Sequence, residues 1–171
     1  MKKKSKVVLV IIIASIILVL AICTSIFKYR NMTTKFETDL YSVSVSKQWN
    51  IEEPFDDCQK FMLDGNEVAY IETFRDCSYA TSVESIAVNV FGEHSSFSNT
   101  EETVLGNWTK YKIVIDYELS AAQEMQGETV PTEEIHYIYT NKNDAFIDVY
   151  ANSQLLNEDE IQKLIDSFKI K

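Results

Sequence analysis

Glycine and proline are scarce in this chain, with four and two among 171 residues, and histidine occurs only twice. So few glycines leave little material for the backbone-lined loops that hold phosphates or dinucleotides. Neither a G-x-S-x-G elbow nor an S-x-x-K pair occurs, which removes the common serine-nucleophile designs. No C-x-x-C pair is present, and no D-x-[DN]-x-[DN]-G run marks a calcium loop. His94 lies in a serine-rich stretch and His136 inside a strand pattern, neither with a cysteine at ligand spacing, so no zinc site is expected. His136 reads as a surface or cross-strand partner. The expectation is a non-enzymatic protein without cofactor or metal.

Basic residues are also few and unevenly placed. Residues 1–30 carry six of them and no acid, whereas residues 31–171 carry ten basic against 26 acidic residues, a net charge of −16. That surface repels nucleic-acid phosphates and favours basic partners, within a screening length of about 8–10 Å. Acid pairs such as Asp56-Asp57, Glu101-Glu102 and Glu133-Glu134 are plentiful. Glycosidase-type chemistry, however, needs two carboxylates facing each other across a cleft.

Charge is wholly missing from residues 7–27, where only Ser15, Thr24 and Ser25 are polar. As a helix this run reaches about 30 Å, the thickness of a hydrocarbon core. Lys2, Lys3, Lys4 and Lys6 precede it, and Lys28 and Arg30 follow. The bias of positive charge to the short N-terminal side predicts a single-pass anchor with the N-terminus cytoplasmic and the acidic part extracellular. The run exceeds an ordinary signal peptide's apolar region, and Ala21-Ile22-Cys23 is a poor cleavage site. A second reading takes Leu20-Ala21-Ile22-Cys23 as a lipoprotein box lipidated at Cys23, although Ile22 departs from that pattern; full secretion is a third. In an oxidising compartment Cys58 and Cys77, 19 residues apart, are candidates for a disulfide closing a hairpin.

The organisation that follows is a basic tail over 1–6, the anchor over 7–27, a polar tether over 28–37 and one domain over 38–171. Tyr41, Val43 and Val45 alternate with serines in the period-two pattern of a half-buried strand. Asp64-Gly65-Asn66 separates two apolar runs as a hairpin turn, and Gly106-Asn107 separates another pair. Ile86, Val88 and Val90 read as a strand ending at Gly92, and a polar loop is expected from there to Thr100. Ile135–Thr140 and Ala145–Ala151 are further strands. Asn157 with Glu160 is a capping box opening a helix whose apolar stripe is Ile161, Leu164, Ile165 and Phe168. The fold class is α+β, an antiparallel sheet of about seven strands with a packed C-terminal helix, preceded by one N-terminal transmembrane helix. The acidic stretch 118–133 has no packing stripe and is a candidate recognition loop. Glu118, Glu124, Glu128, Glu133, Glu134, Tyr139 and Tyr150 form the candidate recognition surface.

The opening Tyr41-Ser42-Val43-Ser44-Val45 with Trp49, the strand pairs after it, and the close Glu160-Ile161-Gln162-Lys163-Leu164-Ile165-Asp166-Ser167-Phe168 resemble the PsbP-like superfamily. Lys47 stands where relatives often have proline. The resemblance covers about Tyr41 to Phe168 and implies a sheet flanked by helices, used as a binding or accessory module in membrane-anchored or lipoprotein bacterial relatives, with no catalytic residues to carry over. The functional expectation is therefore a membrane-anchored, extracytoplasmic binding module docking a basic protein or peptide. One alternative is an immunity or resistance protein that intercepts a cationic peptide or toxin. Another is an envelope hydrolase using paired carboxylates.

Overall fold

The computed structural model describes residues 2–30, 32–92, 95–117, 134–142 and 145–171. The chain folds as two compact units. One comprises residues 1–49 and 167–171, the other residues 50–166.

In the first unit, helix α1 (Lys2–Arg30) leads into strand β1 (Thr33–Glu37), so the stretch expected as a polar tether is partly helix and partly strand. β1 pairs antiparallel with β2 (Tyr41–Ser46), whose other edge takes the two-residue C-terminal strand β10 (Lys169–Ile170). Tyr41, Val43 and Val45 of β2 are buried as expected, but Ser42 on the opposite face is buried too and Ser44 and Ser46 are half-buried, so the strand is more covered than the alternation predicts. Tyr41 stacks on Phe168 at 5.0 Å between ring centroids. The hydroxyl of Ser167 ties the C-terminal segment to β2, accepting from Ser44 N at 2.9 Å and donating to Ser44 O at 3.2 Å.

Helix α1 carries exposed apolar side chains along its described part, among them Ile12, Ile16, Leu18, Leu20 and Ile26. Among the described residues, however, no helix is long and apolar enough to cross a membrane. This corrects the expected transmembrane helix over 7–27. The single-pass topology, the cytoplasmic N-terminus and the extracellular placement of the domain rested on that span and are corrected with it. Cys23 is an exposed thiol on this helix.

The second unit is built on a seven-stranded, wholly antiparallel sheet in the order β3-β4-β5-β9-β8-β7-β6. Its strands are β3 (Asn50–Phe55), β4 (Cys58–Leu63), β5 (Asn66–Phe74), β6 (Ser95–Leu105), β7 (Trp108–Tyr117), β8 (Glu134–Thr140) and β9 (Phe146–Ala151). Together with the C-terminal helix, this is the α+β antiparallel sheet expected from the sequence. Pro54, which lacks an amide proton, sits in the exposed edge strand β3 beside a register irregularity, a place where a sheet tolerates proline. Asp64 and Gly65, both at positive φ, form the tight β4–β5 turn. Gly106, at φ 64, turns β6 into β7.

Two helices cover the sheet. Helix α2 (Val83–Phe91) replaces the strand expected around Ile86, Val88 and Val90. Ser82 caps it, accepting from Ser85 N at 3.2 Å. Val83, Ile86 and Ala87 are buried at helical spacing, and Val88, which a half-buried strand would have placed with Ile86, is 58 % exposed. β6 then begins at Ser95, where a loop to Thr100 was expected. Ala80, Val83 and Ile86 pack with Tyr111, Ile113, Ile115, Ile138 and Phe146 to form the core on this face. Helix α3 (Glu158–Ser167) begins with the capping box read from the sequence: Asn157 Oδ1 accepts from Glu160 N at 3.1 Å, and Asn157 N donates to Glu160 Oε2 at 3.0 Å. Its Leu164 and Ile165 are buried. Burial raises the phenols of Tyr137 and Tyr139 on the sheet face opposite to α2, and the charge of Asp166 on α3 adds a smaller contribution to both.

Candidate functional site

Strand register assembles a polar cluster on the α2-covered face. One cross-strand row runs Lys60, Tyr70, Tyr150, His136, Ile113, and the next runs Cys58, Glu72, Asp148, Ile138, Tyr111. Because side chains alternate along each strand, these rows share one face. Diagonal contacts between them bring His136 and Asp148 together.

His136 is fully buried and Asp148 is 1 % exposed. The imidazole Nδ1 lies 2.9 Å from Asp148 Oδ1 and 3.0 Å from Oδ2. Its Nε2 lies 3.3 Å from Glu134 Oε2. Tyr70 donates its hydroxyl to Asp148 Oδ2 at 3.1 Å, so this carboxylate is held from two strands. Aromatic rings close the surroundings. Phe91, at the end of α2, meets the imidazole edge-on at 4.6 Å, and the Tyr150 ring lies 5.1 Å away.

Burial alone would depress the imidazole, yet the charge and hydrogen bond of Asp148, with those of Glu134, outweigh it and raise His136 to about 9. At neutral pH the ring is an imidazolium donating from both nitrogens. Glu72 is pushed above the usual carboxylate range by burial and then by the charge of Asp148. Burial, followed by the charge of Glu134, pushes Tyr150 to about 12. The cluster thus stores one fixed positive charge between two carboxylates.

Its chemistry differs from that of a catalytic base. A His–Asp pair orients an imidazole for proton transfer when the second nitrogen faces a hydroxyl or thiol. Here that nitrogen faces the carboxylate of Glu134. Among the described residues no set of His, Cys, Asp and Glu is arranged to hold a metal ion.

The residues singled out from the sequence are dispersed. Glu134 and Tyr150 belong to this buried cluster. Tyr139, 1 % exposed, points to the other face of β8. Glu118, Glu124, Glu128 and Glu133, with the whole 118–133 stretch, lie outside the described residues, as does His94. Cys58 is a buried free thiol and Cys77 a half-buried one. Asp148 and Tyr70, central to the cluster, were not singled out; the signal was a lone aspartate amid the apolar run Phe146–Ala151.

No known family model matches the chain, and no curated protein matches it significantly. The likeness to PsbP-like domains stays an expectation from sequence. Because no membrane-spanning helix is found among the described residues, the expected membrane-anchored extracytoplasmic module, its membrane attachment through 7–27 and both alternative envelope roles are corrected as well. Among the described residues nothing in the arrangement marks a site for a basic protein partner.

Proposed function

We propose that this chain is a non-catalytic α+β domain in which the His136–Asp148–Glu134–Tyr70 cluster ties the sheet together rather than acting on a substrate. The observation that carries this reading is the double capping of a fully buried imidazole, with Asp148 on one nitrogen and Glu134 on the other. A base that holds its proton at neutral pH and has no free nitrogen cannot take a proton from a substrate. The cluster joins β5, β8 and β9 by side chains where their backbones are already paired, and Phe91 places α2 over it.

The reading is tested with a histidine-acylating reagent and peptide mapping at neutral pH. His136 is expected to stay unmodified in the native protein and to react once the protein is unfolded. Rapid acylation of His136 in the native state would show an accessible, neutral imidazole and overturn the reading.

A further inference from the structure

Two cysteines flank a clasp at one end of the seven-stranded sheet. Asp57 and Asp76 both adopt positive φ, and each immediately precedes a cysteine, Cys58 and Cys77. Arg75 donates from Nε to Asp57 Oδ2 and from Nη2 to Asp57 Oδ1, both at 3.3 Å. Thr73 N donates to Asp57 O at 2.8 Å. The turn before Cys58 is therefore fastened to the segment that leads from β5 to Cys77.

Both side chains lie on the same face. Cys58 stands opposite Glu72 in the β4–β5 register, on the α2-covered side. Cys77 packs against the hydrophobic cluster of that side. Glu72 is a shared neighbour: its charge, after burial, raises the Cys58 thiol, and it also acts on Tyr79, whose phenol bonds to Cys77. Cys77 Sγ makes a weak bond to Arg75 O at 3.3 Å besides its bond with the Tyr79 phenol, and a rotation about its side chain releases both.

We infer that Cys58 and Cys77 form a redox pair, closing into an intrachain disulfide when the protein meets a small-molecule disulfide oxidant. Cys77, the more exposed thiol, gives up its proton, attacks the oxidant's S–S bond and expels one thiolate, which is protonated. Cys58 then loses its proton and attacks the Cys77 sulfur of the mixed disulfide, releasing the second thiol. Two protein thiols lose two protons and two electrons, and the oxidant is reduced to two thiols. The bridge closes the loop containing the β4–β5 hairpin and restricts the unfolded chain.

The test is incubation of the full chain with oxidised glutathione, followed by alkylation, non-reducing peptide mapping and thermal unfolding. The expected product is one linked peptide pair, Cys58–Cys77, with a thermal midpoint raised by roughly 10 °C and restored by reductant. Cys58→Ser is expected to leave a lasting glutathione adduct on Cys77, and Cys77→Ser to leave Cys58 unmodified in the native protein. A stable glutathione adduct on Cys77 of the unaltered protein, a linkage through Cys23, or no reaction at either residue would each overturn the inference.

Discussion

At the residue scale the molecule turns on His136. A buried imidazolium is stable only because its two donors meet Asp148 and Glu134, so removing one partner leaves a buried N–H donor unpaired and weakens the compensation of the charge. Asp148→Ala is expected to destabilise the fold by about 3–5 kcal/mol, measured by urea unfolding, because it also removes the hydrogen bond that Tyr70 donates to Asp148. The pH dependence has a definite sign. His136 is raised from its ordinary value of 6.5 to about 9, so its stabilisation is fully present below about 6.5 and is lost as pH rises through about 9. The stake is about 3 kcal/mol. Thermal midpoints across this window should fall with rising pH, and His136→Gln should flatten that fall. None of this was legible from His136 in sequence. A histidine beside Ile135 and Tyr137 reads as a partly exposed cross-strand residue when one face is assumed wet, yet β8 is covered on both faces.

At the element scale, legibility followed the strength of local signals. Helix α3 was readable from its capping box and stripe: the box is in place and Leu164 and Ile165 are buried, while Ile161 is half-buried and Phe168 lies just past the helix end. Asn157→Ala is expected to cost about 1 kcal/mol in chemical unfolding, since the side-chain acceptor of Glu160 N is lost while the backbone donor to Glu160 Oε2 remains. The β4–β5 hairpin was equally plain because Asp64-Gly65 supplies two positive-φ residues. Gly65→Ala meets open space, so its expected cost of about 1 kcal/mol is backbone strain alone, visible as a lowered denaturation midpoint. Helix α2 was misread because Ile86, Val88 and Val90 satisfy a period of two. The competing stripe Val83, Ile86, Ala87 and Val90, opened by Ser82, was the better guide. Short apolar runs carry both periods, and the cap decides between them.

At the scale of the whole molecule, local pattern determines the strands but not their order. Placing β9 between β5 and β8 brings Tyr70, Asp148 and His136 together from distant parts of the chain, and no spacing in the sequence encodes that neighbourhood. The apolar N-terminal run shows the opposite limit: composition alone invited a membrane span, whereas no helix among the described residues meets the length and apolarity of one. Within the seven-stranded sheet, amides of β9, β8 and β5 should be the slowest to exchange with deuterium and those of the exposed edge strand β3 the fastest.

The central claim is that a charged, closed cluster holds this sheet, and the most direct measurement is an NMR titration of the His136 ring, assigned by comparison with His136→Gln. The account predicts a midpoint near 9, with the ring an imidazolium at neutral pH. A midpoint at or below the ordinary histidine value of about 6.5 would mean a neutral ring at neutral pH, and would contradict it.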